Sequence, residues 1–150
     1  MRPFVHCSMD LITDLSPVEG YNSILVVVDQ GLLKGVILCS CAKTLTWEGA
    51  AIFLWDNLFK RFGLPDEMIS DRDPRFSAHT FQELLKLLNI RSNLTTAHHP
   101  QLDGAMEQVN QEIEAYLAIY CTSHPEDWLH SLSTLEITEG MPNEFIPHLN

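Results

Sequence analysis

SILVVVDQGLLKGVILCSCA, residues 23–42, carries two apolar, β-branched runs separated by a short glycine-punctuated break at Gly31. Runs of this length and composition read as strands, SILVVVDQ over 23–30 and KGVILCSCA over 34–42. A connection this short joins antiparallel neighbours. Upstream, VHCSMDLITD (5–14) mixes apolar and β-favouring residues as a third buried strand, and Glu19-Gly20 with Asn22 marks the turn between it and residue 23. The three strands predict an antiparallel meander.

Downstream the pattern changes period. Thr46 can cap a helix whose apolar positions Ala50, Phe53, Leu54 and Leu58 follow helical spacing, with Gly63 and Pro65 ending it. DEMISD (66–71) reads as a short strand. Ser77 is the expected cap of a second helix, with Phe81, Leu84, Leu85 and Leu88 on one side and a stop near Asn89. IRSNLTT (90–96) reads as a fifth strand, a loop spans 97–104, a helix runs over about 104–122, and a last one starts near Pro125. The order β-β-β-α-β-α-β-α-α predicts an α/β fold, one mixed sheet with helices packed on both faces. No repeat or linker interrupts it, so residues 1–150 read as a single domain.

Composition narrows the class. A hydrophobic fraction of 45% against 19% charged residues is globular rather than disordered. No apolar run approaches a membrane span, and Met1-Arg2-Pro3-Phe4 lacks the shape of a signal peptide. Cys7, Cys39, Cys41 and Cys121 form no CxxC pair and have no His at zinc-finger spacing; Cys39 and Cys41 share a strand face and read as small packing residues. A reducing, intracellular compartment is expected. The net charge is −11, and no Lys or Arg follows Arg91. On charge alone nucleic acid is a poor partner, because phosphate contacts come mainly from Lys and Arg; acids that collect a divalent metal remain open.

Three acids stand out, each with an ordinary alternative. Asp10 lies inside the first strand between Met9 and Leu11, either as a strand-edge or surface-facing acid or as one whose burial has to be offset by pairing or a bound metal. Asp71 closes the short fourth strand, where turn chemistry and ligand binding both favour Asp. Glu107 shares a polar helix face with Asn110, Gln111 and Glu114, away from Val109, Ile113, Tyr116, Leu117 and Tyr120, and alone reads as a solvated charge. Together, two strand acids and one helix acid can converge to hold two divalent ions about 3.5–4 Å apart, an arrangement that serves in-line displacement at phosphorus. All-oxygen ligands favour Mg²⁺ or Mn²⁺.

SMDLITDL, SILVVVDQ, FGLPDEMISDRDPRF and AHHPQLDGAMEQVNQEIEAYL, in this order, closely resemble the catalytic core of Gypsy-type LTR-retrotransposon integrases over about residues 6–136. The resemblance implies an RNase H-like fold, with a three-strand meander plus two parallel strands, and a triad of two Asp and one Glu. Thirty-five residues lie between Asp71 and Glu107, the spacing of that triad. It further implies Asp10, Asp71 and Glu107 as the carboxylates of a two-metal Mg²⁺ or Mn²⁺ site. The implied chemistry is 3′-end processing and strand transfer of element DNA into target DNA. His99 and Gln101, in the loop before the helix, and Asn110 on it are the implied DNA contacts, although Asn110 reads equally as a solvated residue. A homodimer and a nuclear location are implied too, with no membrane and no organic cofactor. Asp29, at a family-typical position, reads as structural, and Asp14 and Asp73 as turn residues.

The chain departs from the family pattern at Gln108 and Gln30, where Arg is usual, and at Leu102, Ala105 and Met106. Each lost Arg weakens phosphate contact. After DWLHSLSTLE (127–136) the tail ITEGMPNEFIPHLN (137–150) diverges, so the last helix is expected to be truncated. The chain reads as a piece of a longer polyprotein or a decayed copy of the element. A remnant that binds nucleic acid or protein without catalysis is therefore the alternative function.

Overall fold

The computed structural model describes residues 2–31, 35–95 and 111. Five strands, β1 (His6–Ile12), β2 (Ser23–Asp29), β3 (Val36–Cys41), β4 (Glu67–Ser70) and β5 (Arg91–Leu94), form one mixed sheet in the order β3-β2-β1-β4-β5. The meander is antiparallel, and β4 and β5 join it through parallel pairs, as the sequence predicts. The turn into β2 has two central residues at positive φ, Glu19 (54°) and Gly20 (85°), between Val18 and Tyr21, which exchange two 2.8 Å backbone hydrogen bonds. This is the two-residue hairpin turn whose twist suits a right-handed strand pair.

Strand alternation divides the sheet into two faces. Cys7 and Met9 of β1, Leu25 and Val27 of β2, Ile37 and Cys41 of β3 and Met68 of β4 point into the core shared with the helices. The opposite face carries Ser8, Asp10 and Ile12, then Ile24, Val26 and Val28, then Val36 and Leu38. All seven β2 residues are buried, so this strand is shielded on both sides.

The helices of the described residues pack on the first face. Thr46 caps α1 (Trp47–Leu54) as expected, its hydroxyl accepting from the Gly49 N–H at 3.3 Å. The helix then widens into a π turn over Trp55–Phe59 before α2 (Lys60–Phe62). Periodicity does not predict the widening, and its reason is geometric. At about 100° per residue, Phe59 would lie about half a turn from Ala50 in an unbroken α-helix. The wider turn brings Phe59 and Phe62 back to the core side with Phe53, Leu54 and Leu58. Asn57 Nδ2 satisfies the Phe53 carbonyl within it at 3.2 Å. Beyond Gly63 (φ 87°), the Arg2 guanidinium caps the Phe62 and Leu64 carbonyls at 2.9 and 3.1 Å.

Ser77 does not cap the next helix. Asp73 caps a separate four-residue helix, α3 (Pro74–Ser77), its carboxylate accepting from the Arg75 N–H, and α4 (His79–Leu87) starts after Ala78 with no side-chain cap. The Ser77 hydroxyl instead donates to the Asp73 carbonyl at 3.0 Å. Asp73-Pro74 is the stronger start, since the acid accepts the free N–H and proline fits the first helical position. At the other end Asn89 (φ 62°) takes the left-handed position: its N–H meets the Lys86 carbonyl and the Ile90 N–H the Leu85 carbonyl, at 3.0 and 2.9 Å. Apart from Gln111, which is helical and exposed, the helices expected over 104–122 and from Pro125, and the expected truncation, lie outside the described residues, in which no helix is long and apolar enough to cross a membrane.

Leu25→Ala, at a fully buried position against the helices, should cost about 2–5 kcal/mol in urea unfolding, whereas Leu87→Ala, 83% exposed, should be close to neutral. The thiols give a pH signature. Burial, with the neighbouring Cys41, pushes Cys39 up to about 12, and burial pushes Cys41 up to about 11, from 9.0. Thiols held protonated in the fold but free to ionise when unfolded contribute stability that is complete below the unfolded value and lost as pH rises through the folded one. The urea midpoint should therefore fall as pH is raised from about 9 to about 11.

Candidate active site

Asp10 belongs to the second face of β1. Its cross-strand partner on β2 is the buried Val26, and Ser8 and Ile12 flank it on the same face. The parallel pairing of β1 with β4 runs His6 to Glu67, Cys7 to Met68 and Ser8 to Ile69. The recorded pairing ends there; carried two residues further, the same register leads to Asp10 on β1 and to Asp71, one residue past the end of β4. Both acids therefore stand on one face at the C-terminal end of a parallel pair, where open α/β sheets bind ligands.

Their surroundings differ. Asp10 is half-buried, and its Oδ1 accepts from the Leu11 N–H at 2.8 Å. Asp71 is exposed, one residue past the end of β4, and its Oδ1 accepts from the Asp73 N–H at 3.0 Å. The strand end below it is pinned by Thr95, whose N–H and hydroxyl both donate to the Ser70 carbonyl at 2.7 and 3.1 Å. Carboxylate oxygens alone form this pair, while Cys7, Cys39 and Cys41 belong to the other face. That donor chemistry fits a hard divalent cation such as Mg²⁺ or Mn²⁺ and would not favour zinc. Among the described residues no group of three or more His, Cys, Asp or Glu converges as a complete metal site. Glu107, His99, Gln101 and Asn110 lie outside the described residues.

Three neighbours carry weight that the sequence did not signal. Arg72, exposed, follows Asp71 directly in the chain. Gln30, where Arg is usual, is turned inward: its Nε2 donates to the fully buried Ser8 hydroxyl at 2.6 Å, on the Asp10 face. Arg75 is half-buried and makes four hydrogen bonds within the segment and to the loop before α1. Asp29 is structural, 2% exposed, with Oδ1 accepting from the Gly31 N–H at 2.8 Å to close the turn after β2. Asp14 pairs with Lys43 at 3.0 Å, and that hydrogen bond and charge hold its carboxyl below the usual range. Neither the cleft of about 420 Å³ between the end of the meander and α1 nor that of about 410 Å³ beside α4 and β5 includes Asp10 or Asp71.

No family model matches the chain. By sequence it is 35% identical over 135 residues to the Transposon Tf2-3 polyprotein of Schizosaccharomyces pombe, and equally to the Tf2-4 polyprotein; the match takes in 90% of this chain and 10% of each polyprotein. The chain thus spans about a tenth of the length of these relatives. By structure it matches a chain of the simian T-cell lymphotropic virus intasome, solved in complex with PP2A regulatory subunit B56 gamma. The TM-score there is 0.67 at 19% identity, over 91% of this chain and 50% of that one. It also matches the catalytic core domain of BIV integrase, with a TM-score of 0.62 at 23% identity, over 87% of this chain and 84% of that one. The chain is thus similar to a segment of the Tf2 transposon polyproteins, and its fold is the RNase H-like one of integrase catalytic cores.

Gln30→Ala should cost about 1–3 kcal/mol in denaturant unfolding, because it strands the buried Ser8 hydroxyl. Removing both polar partners with Ser8→Ala and Gln30→Leu should recover most of that loss.

Proposed function

We propose that this chain is the catalytic core of a retrotransposon integrase, a polynucleotidyl transferase that processes the 3′ ends of element DNA and joins them to target DNA. The β1–β4 register supports the reading, because its continuation beyond Ser8 and Ile69 leads to Asp10 and Asp71 on one face of a sheet with integrase-core topology. Glu107, separated from Asp71 by 35 residues, completes the triad. The similarity to a tenth of the Tf2 polyproteins supports a unit cut from, or decoded within, a longer product. Its partners are then the two DNAs and a second copy of itself, and its workplace is the nucleus.

In this reading Asp10, Asp71 and Glu107 hold two Mg²⁺ or Mn²⁺ ions, which when bound raise the nucleophilicity of the attacking oxygen and stabilise the leaving one. The rest is done by the chain itself. The Leu11 and Asp73 N–H groups each fix one oxygen of a strand acid, so the carboxylates meet their ligands already oriented. Asp71 and Arg72 are open to solvent, as a polymer substrate requires. Arg72, His99, Gln101 and Asn110 are the DNA contacts of this reading. Water and then a DNA 3′-hydroxyl act as nucleophiles, and no covalent enzyme intermediate is needed.

A second reading, a binding module descended from an integrase and no longer catalytic, is favoured by one observation. Gln30 spends its amide on the internal Ser8 hydroxyl where an Arg would offer charge; Gln108 and the absence of Lys and Arg after Arg91 point the same way. Purified chain with Mn²⁺ decides between them. The catalytic reading expects nicking or disintegration of branched DNA, abolished by Asp10→Asn and by Glu107→Gln. It also expects stabilisation of about 2.7 kcal/mol at a hundredfold excess of metal over its dissociation constant, lost in Asp10→Asn. Robust activity in Glu107→Gln would remove the triad. If neither nicking nor stabilisation is seen, the binding module stands.

A further inference from the structure

We propose that Arg75 is a positioning residue for Asp71, acting through Asp73 and anchored on the loop between β3 and α1. The inference rests on the reading of Asp71 as a metal ligand. Asp71 stands beyond the last paired residue of β4, so strand pairing does not orient its carboxylate; the Asp73 N–H does, at 3.0 Å. Where residue 73 sits therefore decides where that carboxylate points.

Residue 73 is held by Arg75 twice. Asp73 Oδ1 accepts from the Arg75 backbone N–H at 2.9 Å, and Asp73 Oδ2 accepts from Nη1 at 2.8 Å. The same guanidinium reaches across 30 residues of sequence, with Nε donating to the Leu45 carbonyl at 2.7 Å and Nη2 to the Lys43 carbonyl at 2.5 Å. The far end is firm: Lys43 N–H donates to Asn22 Oδ1 at 2.7 Å, Leu45 packs on the core, and Thr46 caps α1. Phe76, fully buried beside Arg75 in sequence, keeps the short helix from turning away. The Arg75 and Asp73 side chains are only 19% and 22% exposed, so their pairing is screened less than a surface ion pair. Three acceptors in different directions need the planar fork of an arginine, and a lysine ammonium at the same place has no fixed fork to meet them. The loop at the β3 end of the sheet thus sets the angle of an acid at the β4 end.

The test uses the whole chain, with Mn²⁺ as probe. Arg75→Met should raise the Mn²⁺ concentration that half-stabilises the protein against heat by about 10–100-fold, the usual cost of losing a group that orients a ligand. It should also lower kcat on branched DNA with KM for the DNA unchanged. Arg75→Lys should restore part of the metal response. Asp73→Asn keeps an oxygen for the cap but loses the ion pair, so it should shift the midpoint in the same direction and add little to Arg75→Met in the double variant. If Arg75→Met does not fold, Asp73→Asn decides by the same midpoint. A lower melting temperature with an unchanged Mn²⁺ midpoint, beside an Asp71→Asn variant that has lost the response, overturns the positioning role and leaves the metal site standing. If Asp71→Asn responds to Mn²⁺ as the parent does, or the parent does not respond, the metal site and the positioning role fall together.

Discussion

Strand β1 is hydrogen-bonded along both edges, antiparallel to β2 and parallel to β4, and the rest of the structure depends on that double constraint. Side chains alternate along a strand, so a slip of one residue against β2 would turn Asp10 into the helix-packed core and Met9 out of it. With two partners of opposite direction, β1 cannot slip against one without losing the other. The apolar load on β2 makes the alternative costly, because Ile24 through Val28 are buried whichever face they belong to. The position of one half-buried acid is therefore set by hydrophobic pattern rather than by any bond that the acid makes itself.

Around this frame the polar groups divide the labour. The sheet supplies position, and the loops supply direction. Asp71 takes its place from β4 and its orientation from an Asx turn, which belongs to a segment closed by Asp73, Arg75 and Phe76. Ser8, on the Asp10 face, is satisfied by Gln30 from the end of the neighbouring strand. These bonds are short in distance but long in sequence, 22 residues for Gln30 and 30 or more for the outer bonds of Arg75.

The same contrast explains how much of the molecule is legible in its sequence. SILVVVDQ and KGVILCSCA announce strands because β-branched runs have few other uses, and Glu19-Gly20 announces a hairpin because glycine tolerates positive φ. The pairing of β4 and β5 follows from their alternation with helices. The π turn is invisible, since a helix of ordinary periodicity accounts for Ala50, Phe53, Leu54 and Leu58, and only Phe59 and Phe62 require more. Ser77 reads as a cap because it precedes an apolar helix, while Asp73 with Pro74 offers the better start four residues earlier. Asp10 and Asp71 are visible as acids at strand positions. The roles of Gln30 and Arg75 are not, because Gln30 meets a serine and Arg75, besides Asp73, meets two backbone carbonyls that no spacing rule connects to it.

The widened turn at Trp55–Phe59 has a consequence for ancestry. A helix that takes in one surplus residue without displacing the elements beyond it is how a chain absorbs a single-codon insertion. Here the surplus is contained between Leu54 and Lys60, so the strand that leads to Asp71 keeps its place in the sheet. Relatives of this chain can then differ by one residue in this helix and still align on both sides of it. Length variation at that point is neutral to the distance between the two acids, and a gap there in an alignment would mark tolerance rather than damage.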